Sequence, residues 1–140
     1  MRITEGIVNI SVRELVEFVM RSGSIFASFV SRARAVEGTK AHKKIQESMN
    51  ANYEKEVKLV HECEASGITF IVEGRADGIM MDLIAVTIDE IKSTRTSLDV
   101  IDEDYNPLHW AQAKCYAYFY ASEHHLKDMN VRLTYYNLDT

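Results

Sequence analysis

Between Glu56 and Ser93 the chain carries three short segments with strand character, parted by turn residues. In Glu56–Cys63, Val57, Leu59, His61 and Cys63 alternate with Lys58, Val60 and Glu62. Ile68–Arg75 is rich in β-branched and aromatic residues, and Ile84–Ser93 is a third run of the same kind. Side chains of a strand point alternately to two faces, so this pattern predicts strands. Ser66-Gly67 is a turn signal for the first connection, and Met80–Asp82 is placed at the tip of the second. Strands joined this tightly form an antiparallel meander, one face of which must be buried by other elements.

Helical spacing supplies those elements. Ser11-Val-Arg-Glu14 reads as a capping box, and Leu15, Val16, Phe18, Val19 and Met20 follow it. A helix is expected from about Val12 to Ser22, with Gly23 as its stop. Ser24–Val36 suits a loop or a broken helix. Glu37–Met49 reads as a helix with Ala41, Ile45 and Met49 in one stripe and His42 one position away. Asp99–Tyr105 is acidic and predicts a loop. Asn106-Pro107 then looks like an N-cap with proline at the first helical position. Trp110, Ala113, Ala117 and Tyr120 share a helical face, and Val131, Leu133 and Tyr135 alternate in a last strand. The predicted order is α-α-β-β-β-α-β, an α/β (α+β) domain.

The 140 residues suit one domain spanning 1–140, and a hydrophobic fraction of 46% is enough for a core without disulfides. No apolar run approaches the ~20 residues that cross a bilayer, and the first residues do not read as a signal peptide. A cytoplasmic protein is the expectation, with Cys63 and Cys115 as reduced core thiols. Two cysteines alone cannot build a structural zinc site or an iron–sulfur cluster. The net charge of −5 speaks against a nucleic-acid binder. Carboxylates that hold divalent cations are neutralised in use, however, and Arg32, Arg34, Lys40, Lys43 and Lys44 form a local basic group.

Four signals carry chemistry: Gly38–His42 early in a helix, Gly74-Arg-Ala-Asp77-Gly78 at a strand end, Asp89-Glu90-Ile-Lys92 in a strand, and Gln112–Tyr116 in the late helix. Glu90 and Lys92 lie two apart and share a strand face, with Ile91 on the other. Asp77, in the neighbouring strand, can reach the same side. Two carboxylates brought together repel and favour a cation between them. Hard oxygen ligands select Mg²⁺ or Mn²⁺, which activate a bound water and stabilise charge on a phosphate. A nitrogen ligand from His42 shifts the preference toward Mn²⁺. Lys92 is then placed to orient the water or meet the developing charge. Gln112 and Tyr116 share a helix face and can bind a phosphate or base, or support the strand from behind. Each signal has a plainer reading alone: a solvated Glu-x-Lys face, an Asp-Gly turn, a boundary histidine, a core tyrosine. Arg75, Lys40 and Lys43 can contact phosphates of a bound DNA, although any surface carries such residues. Order and placement together carry the weight.

GRADGI, IDEIKS and QAKCYAY, preceded by a Gly-x-x-x-His helix, resemble the RecB-type branch of the PD-(D/E)xK nucleases. The resemblance runs from about His42 to the C-terminus. It implies a restriction-endonuclease-like α-β-β-β-α-β core with a mixed sheet. It further implies Asp77 and Glu90 as metal-binding carboxylates and His42 as a metal-ligating histidine. Ile91 would lend its backbone carbonyl, Lys92 would be the catalytic lysine, and Gln112 and Tyr116 would form a motif associated with DNA binding and site support. The activity implied is Mg²⁺- or Mn²⁺-dependent hydrolysis of DNA, leaving a 5′-phosphate. Ala76 stands where the branch often has proline. Some members carry an iron–sulfur cluster, whose cysteines this chain lacks, so either the cluster is absent or its ligands lie beyond Thr140. Several segments are also similar to the N-terminal nuclease domain of bacterial XPD/DinG-type helicases, which implies a C-terminal helicase motor in a longer protein. The competing expectation is a catalytically inactive DNA-binding or helicase-docking module of the same fold. A restriction-type endonuclease would need a recognition domain, and nothing here resembles one.

Overall fold

The computed structural model describes residues 1–20, 32–49, 52–82 and 85–139, with the backbone alone for 32–37. The chain opens on a hairpin that the sequence pattern does not mark: β1 (Arg2–Thr4) and β2 (Ile7–Ser11), antiparallel across a Glu5-Gly6 turn. Both turn residues have positive φ, 34° and 80°, as the tightest hairpin turns require. Strands of three and five residues offer too few alternations to be read from sequence.

Helix α1 (Val12–Val19) starts at the expected capping box: Ser11 Oγ accepts the Glu14 N–H at 3.0 Å, and Glu14 Oε1 accepts the Ser11 N–H at 3.2 Å. It ends earlier than expected, at Val19, with Met20 as its C-cap. Ser22, the Gly23 stop and positions 24–31 lie outside the described residues. Helix α2 (Arg32–Glu47) takes in the end of the ambiguous stretch. The side chains of Arg32 and Arg34, two of the basic group, lie outside the described ones.

The meander is present: β3 (Tyr53–Ala65), β4 (Ile68–Met81) and β5 (Val86–Thr94) are successive antiparallel neighbours. Helix α3 (Pro107–His124) then carries the chain across to β6 (Asn130–Asn137), which lies parallel to β5. Asn106 caps α3 through Oδ1 to the Leu108 N–H, and Pro107 occupies the first helical position as predicted. The result is a six-stranded mixed sheet with helices on its faces, an α+β fold with the restriction-endonuclease-like α-β-β-β-α-β core. Helices α1 and α3 close one face over a core that includes Val12, Val16, Leu59, Ile79, Ile88 and Tyr116. Helix α2 lies against the other face, where Lys44 reaches Tyr136. No helix among the described residues is long and apolar enough to cross a membrane.

Strand β4 organises this sheet. Its partner β3 follows one edge from Ile68 to Met80. The opposite edge is divided: β2 pairs in parallel with Thr69–Glu73, and β5 pairs antiparallel with Gly78–Met81. Among the described residues, Gly74 to Asp77 between them have no strand partner on that edge. The sheet therefore opens in its centre. The strand runs well past Arg75, its expected end, so Asp77-Gly78 lies inside a strand and Met80 and Met81 are still paired. The tip lies beyond them, and Ile84 is outside the described residues.

Alternation also reverses at this opening. Gly74 and Ala76 face α3: a side chain at Gly74 would collide with the Tyr116 ring at 2.8 Å, and Ala76 belongs to the same core as Tyr116. Three residues on, Ile79 faces the same core instead of the opposite side. Strand β3 turns over with it, opposite Asp77, at Glu56, whose φ is 54°. Beyond the reversal, Gly78 faces the α2 side, and the Tyr53 ring lies where its side chain would be, 1.9 Å from an added Cβ. Gly78 is thus required by a close approach rather than by a turn.

One expectation about the core fails. Cys115 is half-buried, but Cys63 is exposed. His61 stacks on Phe119 of α3, and beyond that point the β3–β4 hairpin is exposed on both strands around its turn. Alternation put Cys63 on the correct face, but the helix does not extend over it.

Candidate active site

The opening in the sheet is bridged by side chains where backbone pairing stops. Past the Gly78–Asp89 pair, Asp77 and Glu90 would be next in register. Instead, Asp77 Oδ2 accepts the Ile91 N–H at 2.7 Å, and the Asp77 backbone N–H bonds the Glu90 carboxylate. Each acid thus satisfies a backbone donor of the other strand. The N–H and C=O of a strand residue point to the same edge, so the Ile91 carbonyl faces this opening as well.

Helix α2 closes the site on one side. His42 Nδ1 lies 3.3 Å from Asp77 Oδ1, and this hydrogen bond raises the His42 pKa against the opposing effect of burial. Helix α3 closes the other. Lys92 Nζ donates to Gln112 Oε1 at 2.5 Å and stands 3.5 Å from Glu90 Oε2. One helical turn on, Tyr116 packs on Gly74, and its hydroxyl bonds the Arg75 backbone. Burial, more than nearby charge, raises the Tyr116 pKa. Gln112 and Tyr116 are both buried and act from behind the two strands: one fixes Lys92, and the other wedges β4 at its unpaired stretch.

His42, Asp77, Glu90, Ile91, Lys92, Gln112 and Tyr116 therefore meet around one opening. The Arg75 side chain is exposed and lies on the face of β4 opposite Gly74 and Ala76, away from Tyr116. Gln46 and His109 near the site were not anticipated, and Asp89 was named in the strand signal without a role. Gln46, one helical turn after His42, donates to the Asp77 carbonyl at 2.8 Å and to Glu56 Oε1 at 2.9 Å. An i, i+4 search from His42 would have found it. Asp89 accepts from Tyr53, Arg132 and Thr134 on the α2 side of β5. On the α3 side, His109 Nδ1 meets the Tyr135 hydroxyl at 2.7 Å, and burial followed by the charge of Lys92 lowers its pKa to about 4. His109 is therefore neutral at physiological pH.

Glu90 carries the electrostatic strain of the site. Burial, and then the adjacent Asp77, push its carboxyl up to about 7, while Lys92 pulls it down. A buried carboxylate pair of this kind favours a cation. The donors around the opening are hard oxygens from Asp77, Glu90 and the Ile91 carbonyl plus the His42 imidazole, a set that suits Mg²⁺ or Mn²⁺. Among the described residues, no three histidine, cysteine or carboxylate side chains stand together as a ready cage. His42 and Asp77 are paired, and Glu90 Oε2 lies toward Lys92.

A pH dependence follows. A carboxyl raised in the fold gives stability that is complete below its unfolded pKa, 4.5, and lost as pH rises through about 7. The raised His42 adds in the same direction. With chelator present, the melting temperature should fall from pH 5 to pH 8, and Glu90→Gln should flatten that fall. Parallel pH curves for the two proteins would refute the burial of an ionisable Glu90.

The likeness to known proteins lies in the fold. No protein-family model matches the chain, and no curated protein does. The chain is similar in structure to the crystal structure of SSO0001, with a TM-score of 0.67 and 23% sequence identity over 100% of its length. It spans 66% of that chain, just under two thirds.

Proposed function

We propose that this domain is a metal-dependent deoxyribonuclease of the PD-(D/E)xK type, acting on DNA as an exonuclease in repair or recombination. The observation that carries this reading is the reciprocal bridge of Asp77 and Glu90 across the opened sheet, with Lys92 on the same strand. Neutral amide side chains could accept the same two backbone N–H groups, so a structural bridge alone does not call for two buried acids beside a lysine. Asp77, Glu90, His42 and the Ile91 carbonyl would hold Mg²⁺ or Mn²⁺. When bound, the cation would activate a water for attack on a phosphodiester and neutralise charge on the phosphate. Lys92, fixed by Gln112, directs its ammonium toward that charge. His42 orients Asp77 from the α2 side, and Tyr116 keeps β4 at its distance from α3. A cytoplasmic location and a C-terminal helicase motor belong to the same proposal.

The test is degradation of end-labelled linear single- and double-stranded DNA with Mg²⁺ or Mn²⁺, against chelator and Lys92→Ala. The expected result is metal-dependent loss of label that the variant lacks. Intact DNA in the presence of demonstrably bound Mn²⁺ would overturn catalysis by this domain and leave a DNA-binding or docking module.

A further inference from the structure

Asp77 reaches His42 and Ile91 from the point at which β3 and β4 turn over, with Glu56 opposite it on β3. An uninterrupted β4 would alternate through Asp77, with Ala76 and Ile79 on opposite faces; the two share one core instead. The reversal is costly where it occurs: Glu56 has a φ of 54°, a left-handed conformation that a non-glycine residue adopts only under strain. Something must hold it, and Gln46 is placed to do so. Its side chain is 7% exposed. Its Nε2 donates to the Asp77 carbonyl at 2.8 Å and to Glu56 Oε1 at 2.9 Å. One amide group thus links the two residues at which the two strands reverse. Gln46 follows His42 by one turn of α2, so a single helix face contacts both the backbone and the carboxylate of Asp77. These groups line an open cleft of about 600 Å³ beside Lys43 and Lys55.

We infer that Gln46 and Glu56 are positioning residues for Asp77. The Gln46 amide, anchored on the Glu56 carboxylate, fixes the reversed backbone from which the Asp77 carboxylate reaches His42 and the opened strand. Glu56 serves as a hydrogen-bond acceptor rather than as a ligand or a charge. This inference rests on the metal-dependent reading of the site.

The role predicts an unusual order among variants. Gln46→Met keeps the length of the side chain and removes both hydrogen bonds. Glu56→Ala removes the anchor. Glu56→Gln keeps an oxygen to accept the Gln46 amide and loses the charge. Mn²⁺ binding would be measured by titration calorimetry on the whole chain, after circular dichroism and thermal melts establish folding. Gln46→Met and Glu56→Ala should weaken binding about 10- to 100-fold, the usual loss when a residue supporting a metal ligand is removed. Glu56→Gln should stay within about threefold of wild type. A folded Gln46→Met that binds Mn²⁺ as wild type does would overturn the inference. So would Glu56→Gln as weak as Glu56→Ala, which would make Glu56 a charge or a ligand in its own right. Failure of Gln46→Met to fold leaves the two Glu56 variants to decide. A wild-type chain that binds no Mn²⁺ would remove the metal-dependent reading and this inference with it, an outcome distinct from wild-type binding that no variant alters.

Discussion

Lys92→Ala is expected to lower metal-dependent DNA cleavage by about a hundredfold or more, the usual loss when a fixed charge that meets a developing oxyanion is removed. The Lys92 side chain is only 24% exposed, and its ammonium is held from two sides, by Gln112 at 2.5 Å and by Glu90 at 3.5 Å. Its position is therefore set before substrate arrives, which gives a buried charge its value in catalysis. Two further variants separate charge from placement. Gln112→Ala leaves the charge and frees the side chain, and a loss of about tenfold is expected of a group that supports another. Lys92→Arg keeps the charge, but a planar guanidinium fork cannot reproduce a compact ammonium between these two oxygens. It should recover little of the activity. Initial rates on a labelled oligonucleotide would measure all three. Lys92→Ala cleaving at the wild-type rate would remove Lys92 from the mechanism.

Lys92 also shows why much of this site was legible in the sequence. Strand alternation alone put Glu90 and Lys92 on one face, and the structure directs both toward α3. The capping box at Ser11 and the Asn106-Pro107 start of α3 were legible because each depends on residues within one turn of each other. The reversal at Asp77 was not. Ala-Asp-Gly contains no large apolar side chain to mark which face is buried, so a strand that turns over there resembles a strand that ends. Asp-Gly strengthened that impression, since the pair is common in turns. Here the glycine makes room for Tyr53, which comes from a strand more than twenty residues earlier in the chain. Gln46 escaped for a related reason: a polar residue on a largely polar helix gives no pattern to stand out against. Its importance depends on a carbonyl and a carboxylate brought to it from β4 and β3. Cys63 shows the opposite limit. Its face was read correctly, but alternation cannot tell how far a helix extends along a sheet.

Asp89→Ala is expected to be among the most destabilising single changes in the chain, at about 3–5 kcal/mol in a urea titration. Asp89 neighbours Glu90 but faces α2, and its side chain is 0% exposed. It accepts the Tyr53 hydroxyl at 2.8 Å, the Arg132 guanidinium at 3.1 Å through two nitrogens, and the Thr134 hydroxyl at 2.6 Å. A buried ion pair is weak evidence of stability, since well-packed apolar residues often do as well. Removing one partner is different, because the others are left desolvated and unpaired. Arg132 can recover some hydration, its side chain being 39% exposed, which places Asp89→Ala toward the lower end of that range. Arg132→Ala should cost more, because it leaves a carboxylate with no exposed surface facing two hydroxyls. Gly78→Ala attacks the same cluster from β4 by displacing the Tyr53 ring. The cluster fastens β3, β5 and β6 together at Gly78–Asp89, the last backbone pair before the sheet opens. Beyond that pair, the alignment of Asp77 with Glu90 depends on side chains. If Asp89→Ala costs less than about 1 kcal/mol, the opening is held by α2 and α3 instead, and the bridge between Asp77 and Glu90 should survive the change. If it costs the full amount, the strands that carry the two acids are fixed from the face opposite Lys92, and stability and site geometry should be lost together.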